Sequence, residues 1–151
     1  MRAVVQRVST ASVFVDGDVV GEIGPGLVVL VGVSSSDTPA DAAVLADKLV
    51  TLRVFTDPEG KMNRAIGEVE GAVLVISQFT LYGDARRGRR PSFTDAAPAG
   101  LAAPLVEEVA RLIGQTGLSV ATGRFGAKMA VSLVNDGPVT LILETRGGRL
   151  V

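Results

Sequence analysis

Apolar and polar positions along the chain follow the spacing of several β-strands and two helices. Runs of β-branched and aliphatic residues that alternate with polar residues, or continue without them, predict strands where turn-forming residues bound them. These runs are residues 1–10, 11–15, 19–23, 27–33, 53–55, 72–77, 118–122, 129–134 and 139–143. The run at 27–33 is continuously apolar, which is typical of a strand covered on both faces, so we expect it at the centre of a sheet.

The first helix is predicted to begin after Thr38. Threonine caps a first helical turn well, and the proline that follows, Pro39, suits the first helical position. Four apolar residues then share one helical face. They are Ala42, Leu45, Leu49 and Leu52. We expect this face to pack on a sheet.

A second helix is predicted over about 101–113. We expect Pro104 to limit how early it starts, and Gly114 or Gly117 to end it. Its apolar stripe consists of Leu105, Val109 and Leu112. Strands outnumber helices, so the sequence predicts an α/β fold with mixed, largely antiparallel sheets, in a single domain over residues 1–151.

A Gly-Pro dipeptide interrupts two apolar segments near the end of the chain. Proline cannot donate to a β-ladder and biases its predecessor toward extended geometry. Gly137-Pro138 is therefore predicted at a strand-to-strand turn, where the backbone of Gly137 could contact a ligand without a side chain in the way. An ordinary hairpin loop is the alternative that the residues leave open.

The composition restricts the possible chemistry. The chain has no histidine and no cysteine, which excludes Ser-His-Asp and Cys-His catalysis, disulfides and sites built on Cys or His ligands. Carboxylates, lysine, tyrosine, backbone dipoles or the substrate must move any proton, and no metal or cofactor is expected. The net charge is −1, so any anion-binding site must be local.

Hydrophobic residues make up 47% of the chain and charged residues 21%. Because few polar residues are available to cover a monomer, we expect some apolar surface to meet a second subunit. No 18-residue apolar run is present, so neither a membrane span nor a signal peptide is expected. The lack of cysteine fits a cytoplasmic protein.

The strand predicted at 72–77 ends in Ser77, Gln78, Phe79 and Thr80, where hydroxyl and amide groups follow an apolar run. Strand ends often carry chemistry, and backbone N–H groups that leave the ladder there could hold a carbonyl oxygen. The alternative is that Ser77 and Thr80 only satisfy backbone groups where the strand stops.

Two groups of arginines are candidates for binding. Arg7 shares a strand face with apolar residues, so it is predicted to point inward and to need hydrogen-bond partners, unless it emerges at the strand end. Four further arginines crowd one loop and could bind phosphates, although a solvated charged loop is the usual explanation for such a run. They are Arg86, Arg87, Arg89 and Arg90.

Several segments together resemble the D-aminoacyl-tRNA deacylase family. The sequence Ser-Gln-Phe-Thr-Leu at 77–81 and Asn-Asp-Gly-Pro-Val-Thr at 135–140 carry most of the resemblance. Further segments match in the right order, and the resemblance covers essentially the whole chain. These segments are 1–8, 60–63, 90–93 and 123–129.

The resemblance implies a three-layer β/β/α fold and a cytoplasmic homodimer without a membrane or DNA partner. Its substrate would be aminoacylated tRNA, with hydrolysis of the ester between a D-amino acid and the 3′-terminal adenosine. The family's Gly-Pro pair is cis and reaches across the dimer into the partner's pocket, where its carbonyls take the amino group and exclude an L side chain. That role is carried over to Gly137 and Pro138, with Arg7 bonded to carbonyls nearby.

The same resemblance places Ser77, Gln78, Phe79 and Thr80 around the ester, and two other residues, Phe125 and Met129, around the adenine. We expect the N–H groups of Phe79 and Thr80 to form an oxyanion hole, with Gln78 helping, while the adenosine 2′-hydroxyl assists water. A covalent Thr80 nucleophile is the alternative. The preferred D-amino acids, and activity on glycyl-tRNA, stay open. A non-catalytic RNA-binding module and a small-molecule esterase are the rival functions.

Overall fold

The computed structural model describes residues 1–151 as eight strands and two α-helices. The strands are β1 (Arg2–Val15), β2 (Asp18–Ile23), β3 (Gly26–Gly32), β4 (Phe55–Thr56), β5 (Met62–Arg64), β6 (Ala72–Ser77), β7 (Ser119–Thr122) and β8 (Ala130–Glu144). The helices are α1 (Pro39–Thr51) and α2 (Ala99–Gln115). Short 3₁₀ turns lie at Ile66–Val69 and Phe79–Tyr82.

Six strands form one mixed sheet. Its order is β2-β1-β3-β6-β7, and β8 pairs with β1. β3 runs parallel to β6 and β6 parallel to β7, whereas β1 is antiparallel to β2, β3 and β8. β4 and β5 form a separate antiparallel pair. The predicted α/β class, the mixed sheet, the two helices and the central position of β3 are confirmed.

The sheet folds over on itself because β1 changes partners along its length. Residues 2–8 pair with β3, and residues 11–15 pair with β2. β2 then approaches β7 so closely that a Cβ atom on Gly21 would lie 2.5 Å from the carbonyl oxygen of Thr122. Only glycine permits this approach.

Two apolar cores result. The larger core lies between the sheet and both helices, and alternate residues of β3, including Leu27 and Val29, point into it. The smaller core lies between the two halves of the folded sheet, where Val28 meets Leu74 and Ile76 of β6. The two β layers and one helical layer confirm the predicted β/β/α arrangement.

α2 differs from its prediction at the start. The helix begins at Ala99 after Pro98, and Pro104 lies inside it. The prediction that Pro104 limits the start was wrong: the helix accommodates the proline, and the Gly100 carbonyl that loses its N–H donor is exposed and can bond to water instead. The buried face also includes Ile113, whereas the predicted Leu112 is only partly buried. It consists of Ala102, Leu105, Val106, Val109 and Ile113.

β8 differs more, because the two strands predicted around Gly137-Pro138 are one strand. Asn135 lies opposite Val8 and Thr140 opposite Gln6, so the four residues 136–139 face the single residue Arg7. The chain does not reverse there, and both halves of β8 run antiparallel to β1. We call residues 136–139 the tip. It is an excursion from a continuous ladder rather than a strand-to-strand turn.

No helix is long and apolar enough to cross a membrane.

Asp41 joins the start of α1 to the end of the chain. Its buried carboxylate accepts hydrogen bonds from the N–H of Thr38 at 2.9 Å, the Thr38 hydroxyl at 3.0 Å and the N–H of Gly148 at 2.9 Å. Burial raises the pKa of Asp41, but these hydrogen bonds outweigh it and hold the pKa below its ordinary value of 3.8. The ionised form is therefore the one that stabilises the fold.

We predict that Asp41→Asn lowers the free energy of unfolding at pH 7 by about 1.5–3 kcal/mol, the range for hydrogen bonds to a charged group. Because the folded pKa is lowered, the contribution is complete above pH 3.8 and is lost as the pH falls through the folded pKa. Urea unfolding at pH 7 and pH 3 measures this. Asp47→Asn, at an exposed position on the same helix, is the control. A difference as large at pH 3 as at pH 7 would contradict the prediction.

Candidate functional site

A cavity of about 370 Å³ lies between the end of β6, α2 and the segment before β8. Its fifteen lining residues include Ser77, Gln78, Phe79, Phe125 and Met129. The structure therefore brings three of the four strand-end residues together with the two residues expected near an adenine, whereas Thr80 does not line the cavity. None of the lining residues is titratable. The wall offers backbone groups, one hydroxyl and one amide, but no side chain that could act as a general acid or base.

The strand-end motif changes from strand to turn at this cavity. The N–H of Gln78 still donates to the carbonyl of Val31, at 2.7 Å, and a 3₁₀ turn then begins at Phe79. The first N–H groups of such a turn have no partner within it, and those of Phe79 and Thr80 have no acceptor elsewhere in the chain. Two neighbouring N–H groups are thus free beside the cavity.

Thr80 has one side-chain partner, the Nε2 amide of Gln78, which donates to the Thr80 hydroxyl. An amide N–H cannot take a proton from that hydroxyl. No carboxylate or amine is hydrogen-bonded to Thr80. The arrangement orients Thr80 and Gln78 toward each other without activating Thr80.

Phe79 contacts a residue to which the sequence analysis gave no role beyond membership of the matching segment 90–93. Its ring packs edge-to-face against Phe93, with ring centroids 5.1 Å apart and planes at 67°. A Cβ atom on Gly83 would lie 2.9 Å from the Phe93 ring, so glycine is required beside this pair. Phe93 belongs to the segment at 90–93, where an aromatic residue after Arg-Pro-Ser was the only available signal.

The tip is held on one side by Arg7, whose side chain is buried, as predicted. Its Nε donates to the carbonyl of Asp136 at 2.8 Å, and its Nη1 donates to the carbonyl of Val54 at 2.5 Å. The Gly137-Pro138 peptide bond is cis. Gly137 has φ +151°, and a Cβ atom there would lie 2.7 Å from the nitrogen of Val139. The tip has no room for a side chain at Gly137.

Neither Gly137 nor Pro138 lines the cavity of its own chain. They lie on β8, whose second edge has no partner strand. Val134 is 55% exposed and Ile142 is 69% exposed on this strand. A long strand with an open edge and exposed apolar side chains readily pairs with another chain.

The arginine loop lies outside the cavity. Arg86 forms a two-pronged ion pair with Asp84, with N–O distances of 2.8 and 2.7 Å. Hydrogen bonds from Arg86 lower the pKa of Asp84 to about 2. Arg86 is therefore already neutralised in the free protein. The other three arginines are exposed and have no ion-pair partner. They are Arg87, Arg89 and Arg90.

Two further cations lie closer to the cavity. Arg124 and Lys128 are exposed, form no ion pair, and alternate with residues of the segment 123–129 that line the cavity wall. Neither residue was among the candidates predicted from the sequence. The absence of any acidic residue between 118 and 134 is the signal that could have done so.

A family model described as D-Tyr-tRNA(Tyr) deacylase matches residues 4–144. A D-aminoacyl-tRNA deacylase of Anaeromyxobacter dehalogenans is 60% identical over 146 residues, which cover 97% of this chain and 98% of that protein. A D-aminoacyl-tRNA deacylase of Roseiflexus castenholzii is 58% identical over 145 residues, which cover 96% of this chain and 92% of that protein.

Two solved structures are similar over nearly the whole chain. A c-Myc DNA unwinding element binding protein superposes with a TM-score of 0.90 and 38% identity, covering 97% of this chain and 100% of that chain. A probable eukaryotic D-amino acid tRNA deacylase superposes with a TM-score of 0.83, covering 95% of this chain and 98% of that chain. At 18% identity, the second similarity shows the fold alone.

Proposed function

The chain belongs to the D-Tyr-tRNA(Tyr) deacylase family, and we propose from this premise that it hydrolyses the ester bond of D-aminoacyl-tRNA, releasing free D-amino acid and tRNA. The observation that carries the proposal is the cavity, where the free N–H groups of Phe79 and Thr80 lie beside a mostly apolar wall that includes Phe125 and Met129. An aminoacyl-adenosine has the same two parts, a reactive carbonyl and an aromatic base.

The N–H groups of Phe79 and Thr80 form the oxyanion hole in this proposal. During hydrolysis the ester carbonyl oxygen gains negative charge, and preorganised N–H donors stabilise that charge without having to reorient. Removing one such donor costs on the order of 10²- to 10³-fold in rate in other hydrolases. Gln78 lies at the same wall and helps to orient the ester.

Water is the nucleophile, and the adenosine 2′-hydroxyl assists its attack. A threonine nucleophile needs a base to accept its proton, as in other covalent hydrolases. The partner of Thr80 is an amide donor, and the cavity has no titratable side chain. The substrate therefore supplies the group that the wall of this cavity lacks.

The proposed enzyme is a homodimer in which the tip of one chain enters the cavity of the other. The open edge of β8 and its exposed apolar side chains support pairing between two copies. The carbonyls of Gly137 and Pro138 would then take the substrate's amino group and leave no room for an L side chain. This arrangement makes the tip a filter for chirality and leaves hydrolysis to the residues at the end of β6.

The function is tested by incubating D-tyrosyl-tRNA and L-tyrosyl-tRNA with enzyme far below the substrate concentration. We expect many turnovers on the D ester and little release from the L ester, since only the L side chain meets the tip. D-tyrosine ethyl ester should be hydrolysed poorly because it lacks the adenosine. Binding of tRNA without release would favour an RNA-binding module, and efficient hydrolysis of the ethyl ester would favour a small-molecule esterase.

For Thr80→Ala we expect a loss of about 10-fold or less, the effect of losing one hydrogen bond to Gln78. Removal of a true nucleophile costs on the order of 10⁶-fold. Single-turnover kinetics on D-tyrosyl-tRNA measure this, with Thr51→Ala on α1 as the control. A substrate that ends in 2′-deoxyadenosine should react much more slowly. Complete inactivity of the variant, with an acyl-enzyme trapped in the parent, would refute the substrate-assisted scheme.

Arg87, Arg89 and Arg90 are proposed to contact tRNA phosphates. Replacing all three with alanine should weaken tRNA binding and flatten the dependence of log K on log salt by about 2–3 units. Arg86→Ala should have a smaller effect because Asp84 already neutralises that side chain. An unchanged slope in the triple variant would refute this contact. A flattened slope in Arg124→Ala/Lys128→Ala alone would place the phosphates at the cavity mouth instead.

A further inference from the structure

The tip needs hydrogen bonds that the β-ladder cannot supply. Residues 136–139 have no partner on β1, because Gln6 pairs with Thr140 and Val8 pairs with Asn135. Arg7 holds only the first residue of the tip, through the carbonyl of Asp136. Pro138 has no N–H to donate. The far end of the tip, at Val139, must therefore be held by another group.

The side chain of Asn135 holds Val139. Its Oδ1 accepts the N–H of Val139 at 2.8 Å, and its Nδ2 donates to the carbonyl of Val139 at 3.2 Å. In an antiparallel sheet, a hydrogen-bonded residue exchanges these same two bonds with the residue opposite. The amide of Asn135 thus replaces the ladder partner that Val139 lacks, and it closes the base of the tip.

The position of Val139 determines the position of Gly137. A Cβ atom on Gly137 would lie 2.7 Å from the nitrogen of Val139 and 2.8 Å from its Cγ2, so the tip folds back directly onto this residue. The side chain of Val139 packs against the larger core. Because its side chain packs against the core and its backbone is hydrogen-bonded to Asn135, Val139 is held in place next to Gly137.

Few side chains could replace Asn135. The interaction needs an acceptor and a donor at fixed spacing, which among short side chains only asparagine provides. Aspartate could accept the N–H of Val139, but its charge would face the carbonyl of Val139 without a proton to donate. Thr140 completes the arrangement, because its hydroxyl lies 3.0 Å from Nδ2 of Asn135 and 3.4 Å from Nε2 of Gln6.

We propose that Asn135 is a positioning residue for substrate chirality: its side-chain amide takes the place of a β-ladder partner and holds Gly137-Pro138 in the geometry that excludes L substrates. The inference rests on the proposed function, in which the tip meets the substrate across the dimer. Asn135 itself need not touch the substrate. Its effect is on the ratio of kcat/KM for the D and L esters.

The test combines hydrogen exchange with selectivity in the full-length enzyme. In Asn135→Ala, exchange of the Val139 amide should become about 10-fold faster, the factor expected for one lost hydrogen bond, while the ladder amides of Ala3 and Leu143, which face each other on β1 and β8, keep their rates. The D-to-L ratio of kcat/KM should fall at least as much. Gln115→Ala, which removes an exposed amide on α2, should change neither quantity.

Asn135→Asp has nearly the same shape and carries the test if Asn135→Ala does not fold. It keeps an acceptor for the Val139 N–H, so exchange should stay slow while selectivity falls. Unchanged exchange in Asn135→Ala, or unchanged selectivity in Asn135→Asp, would overturn the proposal. If the wild-type enzyme releases no D-amino acid, the proposed function fails separately, and the exchange rates still decide whether Asn135 holds the tip.

Discussion

The ladder between β1 and β8 is the constraint on which the rest of the structure depends. β1 has no free edge, since β3 and β2 occupy one side and β8 occupies the other. β8 is thus held in register at both of its ends, and its surplus residues must leave the ladder at one point. That point lies opposite Arg7, whose guanidinium is buried and bonded to carbonyls on the tip and at Val54. Long-range pairing, and not a local turn, fixes the place of Gly137-Pro138.

The sequence pattern was sufficient to predict those helices and strands whose position depends only on neighbouring residues. The helix start after Thr38, the proline at Pro39 and the continuous apolar run of β3 each depend on a few neighbouring residues, and the structure confirms all three. The single strand β8 was missed because glycine and proline indicate an interruption but not the direction that the chain takes afterwards. The start of α2 was missed because the cost of Pro104 depends on whether water reaches one carbonyl.

The candidate site likewise combines features that the sequence predicts with features that appear only in the fold. Ser77 and Phe125 line one cavity although they are distant in sequence, and only the resemblance to a family predicted that they would meet. The pairing of Arg86 with Asp84 spans two residues and was available from the sequence, yet a run of arginines drew attention to positive charge alone. Arg124 and Lys128 become candidates for binding only in the folded structure, where their sequence neighbours line the cavity. The fold places Arg124 and Lys128 near the site, and this distinguishes them from the other exposed cations.

A cavity without titratable groups has a consequence for specificity. The oxyanion that forms from a D ester and the one that forms from an L ester differ only in the arrangement at the neighbouring carbon. Free N–H groups at Phe79 and Thr80 would stabilise both almost equally, so they cannot select between them. Under the proposed function, discrimination between the D and L esters would then have to be steric. The filter proposed for the tip would be only as selective as it is rigid, since a displacement of about 1 Å near a reacting centre can already change a rate by about 10²-fold. In the proposed mechanism, the hydrogen bonds from Arg7 and Asn135 therefore serve selectivity, while the turn at the end of β6 serves the rate.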